Sequence, residues 1–145
     1  EIRLSLVGSE MCIRDSGTTG ISIVKNGEVI KSVDEPTGGA HFTLVVSGAY
    51  KMSYEEANKY KMDPSHHREL MGVLKPVVEK IASIIKRNIA GFDLERIYLV
   101  GGTSCLTGIE EIIEKETAIK TVKPLNPLFV TPIGIAMNCT DKVSY

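Results

Sequence analysis

"ERIYLVGGTSCLTGIEEIIEKET", residues 95–117, passes through three patterns in succession. Residues 97–100 form a short apolar run suited to a buried strand, and Gly101-Gly102-Thr103 forms a turn. Ile109, Ile112 and Ile113 then recur on one face of a helix opening after Gly108. Strand, glycine turn and helix in that order are a ligand-binding layout. The first helical turn offers N–H groups without intrahelical partners, and glycine lets the backbone approach a bound group that a Cβ would obstruct. Two glycines alone more often mark only a tight turn. This pair gains weight from a second glycine and threonine loop far upstream, Gly17-Thr18-Thr19-Gly20.

Outward from those loops the chain reads as alternating strands and helices. Residues 19–25 alternate, with Ile21 and Ile23 on one side, and Asn26-Gly27 supplies the two positive-φ positions of a tight type I′ turn. The alternation resumes over 28–33, so the pair forms a hairpin. Thr37-Gly38-Gly39 is a loop, and the apolar spacing over 41–50 predicts a short buried helix. Ser53 and Glu56 make a capping box that starts a helix over 54–61, and Asp63-Pro64 starts another through Gly72. Pro76 predicts a break, after which Val77, Val78, Ile81, Ile84, Ile85 and Ile89 form one stripe closed by Gly91. Beyond the opening stretch, 119–122 is a short strand, and Thr131-Pro132 is fit to cap a last helix of small residues. No internal repeat or low-complexity segment interrupts this order, and the one candidate boundary lies near Ser16.

The 145 residues are 43% hydrophobic and 24% charged, the balance of one globular domain able to bury a core. With 17 basic and 18 acidic side chains and a formal net charge of −1, no global field favours nucleic acid or an anionic membrane as partner. No apolar run approaches the ~20 residues of a membrane span. The N-terminus lacks the basic start, long apolar core and small-residue cleavage site of an export signal, so a cytoplasmic location is expected. Cys12, Cys105 and Cys139 lie far apart and outside any CxxC or Cys/His ligand spacing, which reads as reduced thiols without a metal site.

Taken in order, "GTTGISIVKNGEVI", "TGGAHFT", "YEEANKYK" and "YLVGGTSCLTGIEEI", followed by "NPLFVTPIGIA", resemble the second lobe of the actin-like ATPase superfamily, which includes Hsp70 chaperones, FtsA and PilM. The resemblance spans residues 17–145 and is specific as a set, although each motif alone is weak. Within the superfamily, "DEPTGGAHFTLVVSGAY" together with residues 77–117 is similar to the Hsp70-like members of ethanolamine utilisation operons. The resemblance implies an α/β, ribonuclease-H-like second lobe: a mixed central sheet flanked by helices, with a small helical insertion around 51–75. It implies binding of ATP or ADP with Mg²⁺, with Gly17, Thr18 and Thr19 at the phosphates, Gly101, Gly102 and Thr103 at ribose and adenine, and Lys61 as a retained basic position. It further implies a chaperone-like ATP-binding role in ethanolamine catabolism, with ethanolamine ammonia-lyase or microcompartment proteins as partners and a cytoplasmic, microcompartment-associated location. A nucleotide-regulated scaffold of the FtsA or PilM type is the alternative. Three departures stand out: Thr107 where the family's adenosine loop usually has proline, Cys105 where Hsp70s carry an arginine, and Asn58 in place of a common acidic residue.

The family's second phosphate loop reads roughly D-x-G-G-G-T, so counting back from Gly17 the acid belongs at position 13 and glycines at 15 and 16, where this chain has Ile13, Asp15 and Ser16. Residues 5–16, "SLVGSEMCIRDS", also resemble translated sequencing adapter seen at the ends of unrelated proteins. The expectation is that residues 1–16 are foreign, and the alternative is a diverged N-terminal strand. In this superfamily the nucleotide lies between two lobes, and a single lobe is half of the clamp. Losing two charge-assisted backbone bonds to phosphate, each worth about 1.5 to 3 kcal/mol, weakens binding by roughly two to four decades. Hydrolysis also needs a carboxylate-held Mg²⁺ and a positioned water. No useful ATPase activity is expected of this chain alone, and an exposed apolar surface is expected where the other lobe would dock.

Other chemistry-bearing residues read as structural. Adjacent histidines on a helix point about 100° apart, so His66 and His67 are poor co-ligands and are expected to be solvated. Cys105, beside a helix N-terminus, is either a reactive thiol or a small apolar filler. The acidic run 110–116 and the pairs Glu79-Lys80 and Lys86-Arg87 are solvated helix faces.

Overall fold

The computed structural model describes residues 9–15 as backbone, and residues 17–130 and 132 in full. Five strands, β1 (Ser9–Asp15), β2 (Thr19–Lys25), β3 (Glu28–Glu35), β4 (Arg96–Gly101) and β5 (Lys120–Val122), form one mixed sheet in the order β3-β2-β1-β4-β5. β1 pairs antiparallel with β2 and parallel with β4, which in turn pairs parallel with β5. The β2–β3 hairpin forms as its turn dictates: Asn26 and Gly27 take φ values of 52° and 83°. Ile21 and Ile23 of β2 are buried, whereas β3 lies at the sheet edge with Val29 and Ile30 exposed. β1 fills the middle of the sheet, in the ladder between β2 and β4. Such a ladder is made of main-chain groups and tolerates any extended sequence, so this placement is compatible with either origin expected for residues 1–16.

Four helices accompany the sheet, α1 (Gly39–Tyr50), α2 (Tyr54–Met62), α3 (His67–Ile89) and α4 (Ile109–Thr117), with α2 packed against α1. α1 is buried on one face only, through Phe42, Thr43 and Val46, and Leu44 on the other face is 58% exposed. The capping box of α2 is complete, since the Ser53 backbone N–H donates to Glu56 Oε2 at 2.9 Å and the Glu56 N–H donates to Ser53 Oγ at 3.3 Å. Asp63 caps a 3-10 turn, Pro64–His66, by accepting from the Ser65 N–H at 2.9 Å.

From there α3 runs unbroken through Pro76, so the expected break at that residue does not occur and the helical insertion consists of α2 and the 3-10 turn. Proline removes the N–H that would bond the carbonyl of Gly72 and crowds that turn. Both residues are exposed, so water can take the freed carbonyl, and position 72 has no side chain to add to the crowding. The inward stripe of α3 then dominates: Leu70, Leu74, Val78, Ile81, Ile85 and Ile89 pack into one core with Ile97 and Leu99 of β4 and Ile109 and Ile113 of α4. Each such side chain contributes about 1.5 to 3 kcal/mol by leaving water, enough to outweigh a helix irregularity on the wet side. Gly91, at φ +89°, ends α3 as expected. Except for Pro132, the expected last helix begun by Thr131-Pro132 lies outside the described residues.

Three surface carboxylates tie element ends together and are held below the usual carboxylate range. Glu56 is lowered by the Ser53 hydroxyl and N–H, Asp63 by the Ser65 hydroxyl and N–H, and Glu114 by the N–H of Thr121 in β5. A depressed folded-state pKa means that the stabilisation is complete above the unfolded value and is lost as pH falls through the folded one. The urea midpoint is therefore expected to hold steady from neutral pH down to the ordinary glutamate value of 4.5 and to decline below it. A midpoint that rises on acidification below that value would contradict these contacts.

Candidate functional site

β1 and β4 run parallel as neighbours, with Asp15 opposite Gly101. The turn after each strand therefore leaves the same edge of the sheet, about 4.8 Å from its neighbour. Gly17 from the first turn and Gly102 and Thr103 from the second line one cleft of about 520 Å³, within the usual range for a small-molecule site. The start of α1, with Gly39, Ala40 and Thr43, and one face of α2, with Tyr54, Asn58, Lys61 and Met62, complete its walls.

Lys61 is the one Lys, Arg, Asp or Glu side chain among the described lining residues. Its Nζ donates to the Gly39 carbonyl at 2.9 Å and to Thr43 Oγ1 at 2.7 Å, which binds the end of α2 to the start of α1. Tyr54, Met62, Leu106 and Leu128 give much of the remaining wall an apolar character. A group that is anionic at one end and flat and apolar at the other suits such a lining.

The residues expected from sequence separate into two sets. Gly17, Lys61, Gly102 and Thr103 meet at the cleft, whereas Thr18, Thr19 and Gly101 are not part of its lining. Thr18 is exposed beside Gly17. Thr19 is 2% exposed and spends its hydroxyl on the Thr37 carbonyl, tying the first glycine turn to the loop before α1. Gly101 shapes the second turn: at φ +93° its N–H donates to the Pro127 carbonyl at 2.9 Å and its carbonyl accepts from Ser104 Oγ at 2.6 Å. At Gly102 a Cβ would meet Leu128 Cδ2 at 4.0 Å, and at Gly17 it would meet nothing within 4 Å.

Thr43, Tyr54, His67, Leu106 and Leu128 join the site without having been expected there. The Tyr54, Asn58 and Lys61 spacing puts three residues of α2 on one face, a signal that the capping box made legible. His67 corrects the expectation of two solvated histidines, since it is 4% exposed. Its Nδ1 accepts from the Thr107 N–H at 3.3 Å and its Nε2 faces the Lys61 carbonyl at 3.1 Å. A carbonyl only accepts, so the ring proton belongs on Nε2. Thr107, which departs from the family's usual proline, supplies the N–H in this contact. Cys105 is exposed and free at the cleft rim, which excludes the reading of it as a buried filler. The neighbouring carbonyl of Leu106 accepts from Lys123 Nζ at 2.8 Å, and Lys123 pairs with Glu110 at 2.6 Å, so residues 102–108 are tied on both sides.

A family model for the type IV pilus assembly protein PilM matches residues 9–132. The chain belongs to the PilM family. Its sheet order, with an antiparallel hairpin on one side of β1 and parallel strands on the other, is the second lobe of the actin-like ATPase fold. The crystal structure of ethanolamine utilization protein EutJ from Carboxydothermus hydrogenoformans superposes with a TM-score of 0.85 at 42% identity, covering 91% of this chain and 50% of that one. EutJ of Escherichia coli (strain K12) is 41% identical over 127 residues, which is 87% of this chain and 45% of that protein. The chain thus spans less than half the length of the curated relatives it matches. A structure of MreB5 of Spiroplasma citri bound to ADP shares the fold, with a TM-score of 0.79 at 16% identity over 97% of this chain and 56% of that one. No helix among the described residues is long and apolar enough to cross a membrane.

Proposed function

We propose that this PilM-family chain is the nucleotide-contacting second lobe of an actin-like ATP-binding protein. The observation that carries the reading is the convergence of Gly17, Gly102, Thr103 and Lys61 on one cleft. In it, an apolar wall stands next to the Lys61 ammonium, which is held at the cleft by the Gly39 carbonyl and the Thr43 hydroxyl. Gly17 with Thr18 faces the phosphates, Gly102 and Thr103 face ribose and adenine, and Lys61 contributes the positive charge. An ADP-bound actin-like relative of the same fold supports the ligand class. No carboxylate lines the cleft among the described residues, and none of their His, Cys, Asp and Glu side chains cluster to hold a metal. We assign no Mg²⁺-dependent step to these residues and propose, as the sequence led us to expect, that this chain alone is inactive as an ATPase.

The similarity to EutJ supports a place in ethanolamine utilisation. The chaperone-like role, the ammonia-lyase or microcompartment partners and the cytoplasmic location are proposals from that similarity. The PilM family model favours, as the second reading, an assembly scaffold whose nucleotide is sensed more than hydrolysed. Calorimetric titration of ATP with Mg²⁺ into the protein with its first lobe restored tests the shared core of both readings. Saturable heat, abolished by excess ADP, is the expected result. Absence of binding at millimolar nucleotide would refute it, and turnover of bound ATP would separate the ATPase from the scaffold.

A further inference from the structure

We propose that His67 is a positioning residue that sets the width of the cleft, by bridging α2 to the turn that follows β4. The ring sits at the first position of α3, buried, between two segments that each carry cleft residues. On one side Nε2 donates to the Lys61 carbonyl, on the residue whose side chain forms the charged wall. On the other, Nδ1 accepts from the Thr107 N–H at 3.3 Å and lies 3.2 Å from the Thr107 hydroxyl, at the end of residues 102–107.

The two bonds use opposite properties of one neutral imidazole, a donor at one nitrogen and an acceptor at the other, across a fixed ring. A side chain lacking either property breaks the bond to the Lys61 carbonyl or to the Thr107 N–H, and the turn then loses its tie to α2. The pairing is specific to residue type at both ends. Proline at position 107 would remove the N–H that Nδ1 accepts, so the threonine there and the buried histidine form one unit. The ligand half of this inference rests on the nucleotide reading above; the bridge itself does not.

The test compares the chain with His67→Leu, His67→Gln, Thr107→Pro and the Leu/Pro double variant. Amide hydrogen exchange is followed at Thr107, and ADP affinity by ligand-observed NMR. His67→Leu is expected to speed Thr107 exchange about tenfold or more and to weaken ADP binding by a similar factor, the scale of one lost buried hydrogen bond. Glutamine carries an acceptor and a donor at nearly the ring's spacing, so His67→Gln should restore both within about threefold. A residue needed only for folding would not show that rescue. Thr107→Pro should weaken ADP as His67→Leu does, and the double variant no further, because both remove the same contact. A folded His67→Leu protein with unchanged Thr107 exchange and unchanged ADP affinity would overturn the bridge. If the leucine variant does not fold, a glutamine variant with fast Thr107 exchange would overturn it equally. A wild-type chain that binds no ADP, while its Thr107 exchange still responds to His67→Leu and is rescued by glutamine, would uphold the bridge and remove the nucleotide reading.

Discussion

Phe42→Ala is expected to destabilise the chain by about 3 to 5 kcal/mol, a large share of the roughly 5 to 15 kcal/mol that holds a domain of this kind together. Among the described residues Phe42 is the largest side chain with no exposed surface, and it anchors α1 to a core shared with α3 and β2. Its removal leaves a cavity that helices fixed at both ends collapse into only partly. α1 also carries Gly39, Ala40 and Thr43, so the same change loosens one wall of the cleft. Urea unfolding at neutral pH measures the loss. A change under 1 kcal/mol would mean that α1 is not docked as described, and the wall built on it would fall with it.

Lys61→Met comes next, with effects on both stability and binding. The substitution keeps the apolar stem but withdraws the ammonium from the Gly39 carbonyl and the Thr43 hydroxyl. Hydrogen bonds to a charged donor are worth about 1.5 to 3 kcal/mol. The Gly39 carbonyl, which also accepts from the Thr43 hydroxyl at 3.1 Å, loses its charged donor. In the protein with its first lobe restored, ADP affinity is expected to fall about ten- to a hundredfold, the same energy read as binding. Calorimetry of Lys61→Met and Lys61→Arg gives the check. Arginine keeps the charge with a wider fork, so recovery of binding with arginine points to the charge and its failure points to the ammonium geometry. Undiminished ADP affinity in the methionine variant would remove Lys61 from the site.

Local chemistry made much of this architecture legible. Asn26-Gly27 admits few backbone shapes, the Ser53 and Glu56 pair states where α2 begins, and the isoleucines after Gly108 place α4. The glycine pair at 101–102 was legible as a turn at a ligand edge, but the division of labour inside it was not. Gly101 is occupied by a contact with Pro127, far along the chain, whereas Gly102 lines the cleft. Thr19 holds a similar commitment: its hydroxyl is claimed by Thr37, and nothing in its neighbours announces that. Pro76 was overruled by an apolar stripe that continues on both sides of it and by the exposure of the damaged turn. His67 looked like half of a surface pair because burial is decided by what packs over a residue, here the loop at Thr107.

The adjacency of β1 and β4 carries a further consequence for how the molecule comes into being. Their pairing joins the first described strand to one that arrives only after a hairpin and three helices, so the cleft does not exist in any partly made chain that lacks β4. Long-range closure of this kind is slow relative to local helix formation. A ligand seated across the two turns would then act as a clasp on the last-closing seam of the sheet, slowing its reopening more than it hastens its first assembly.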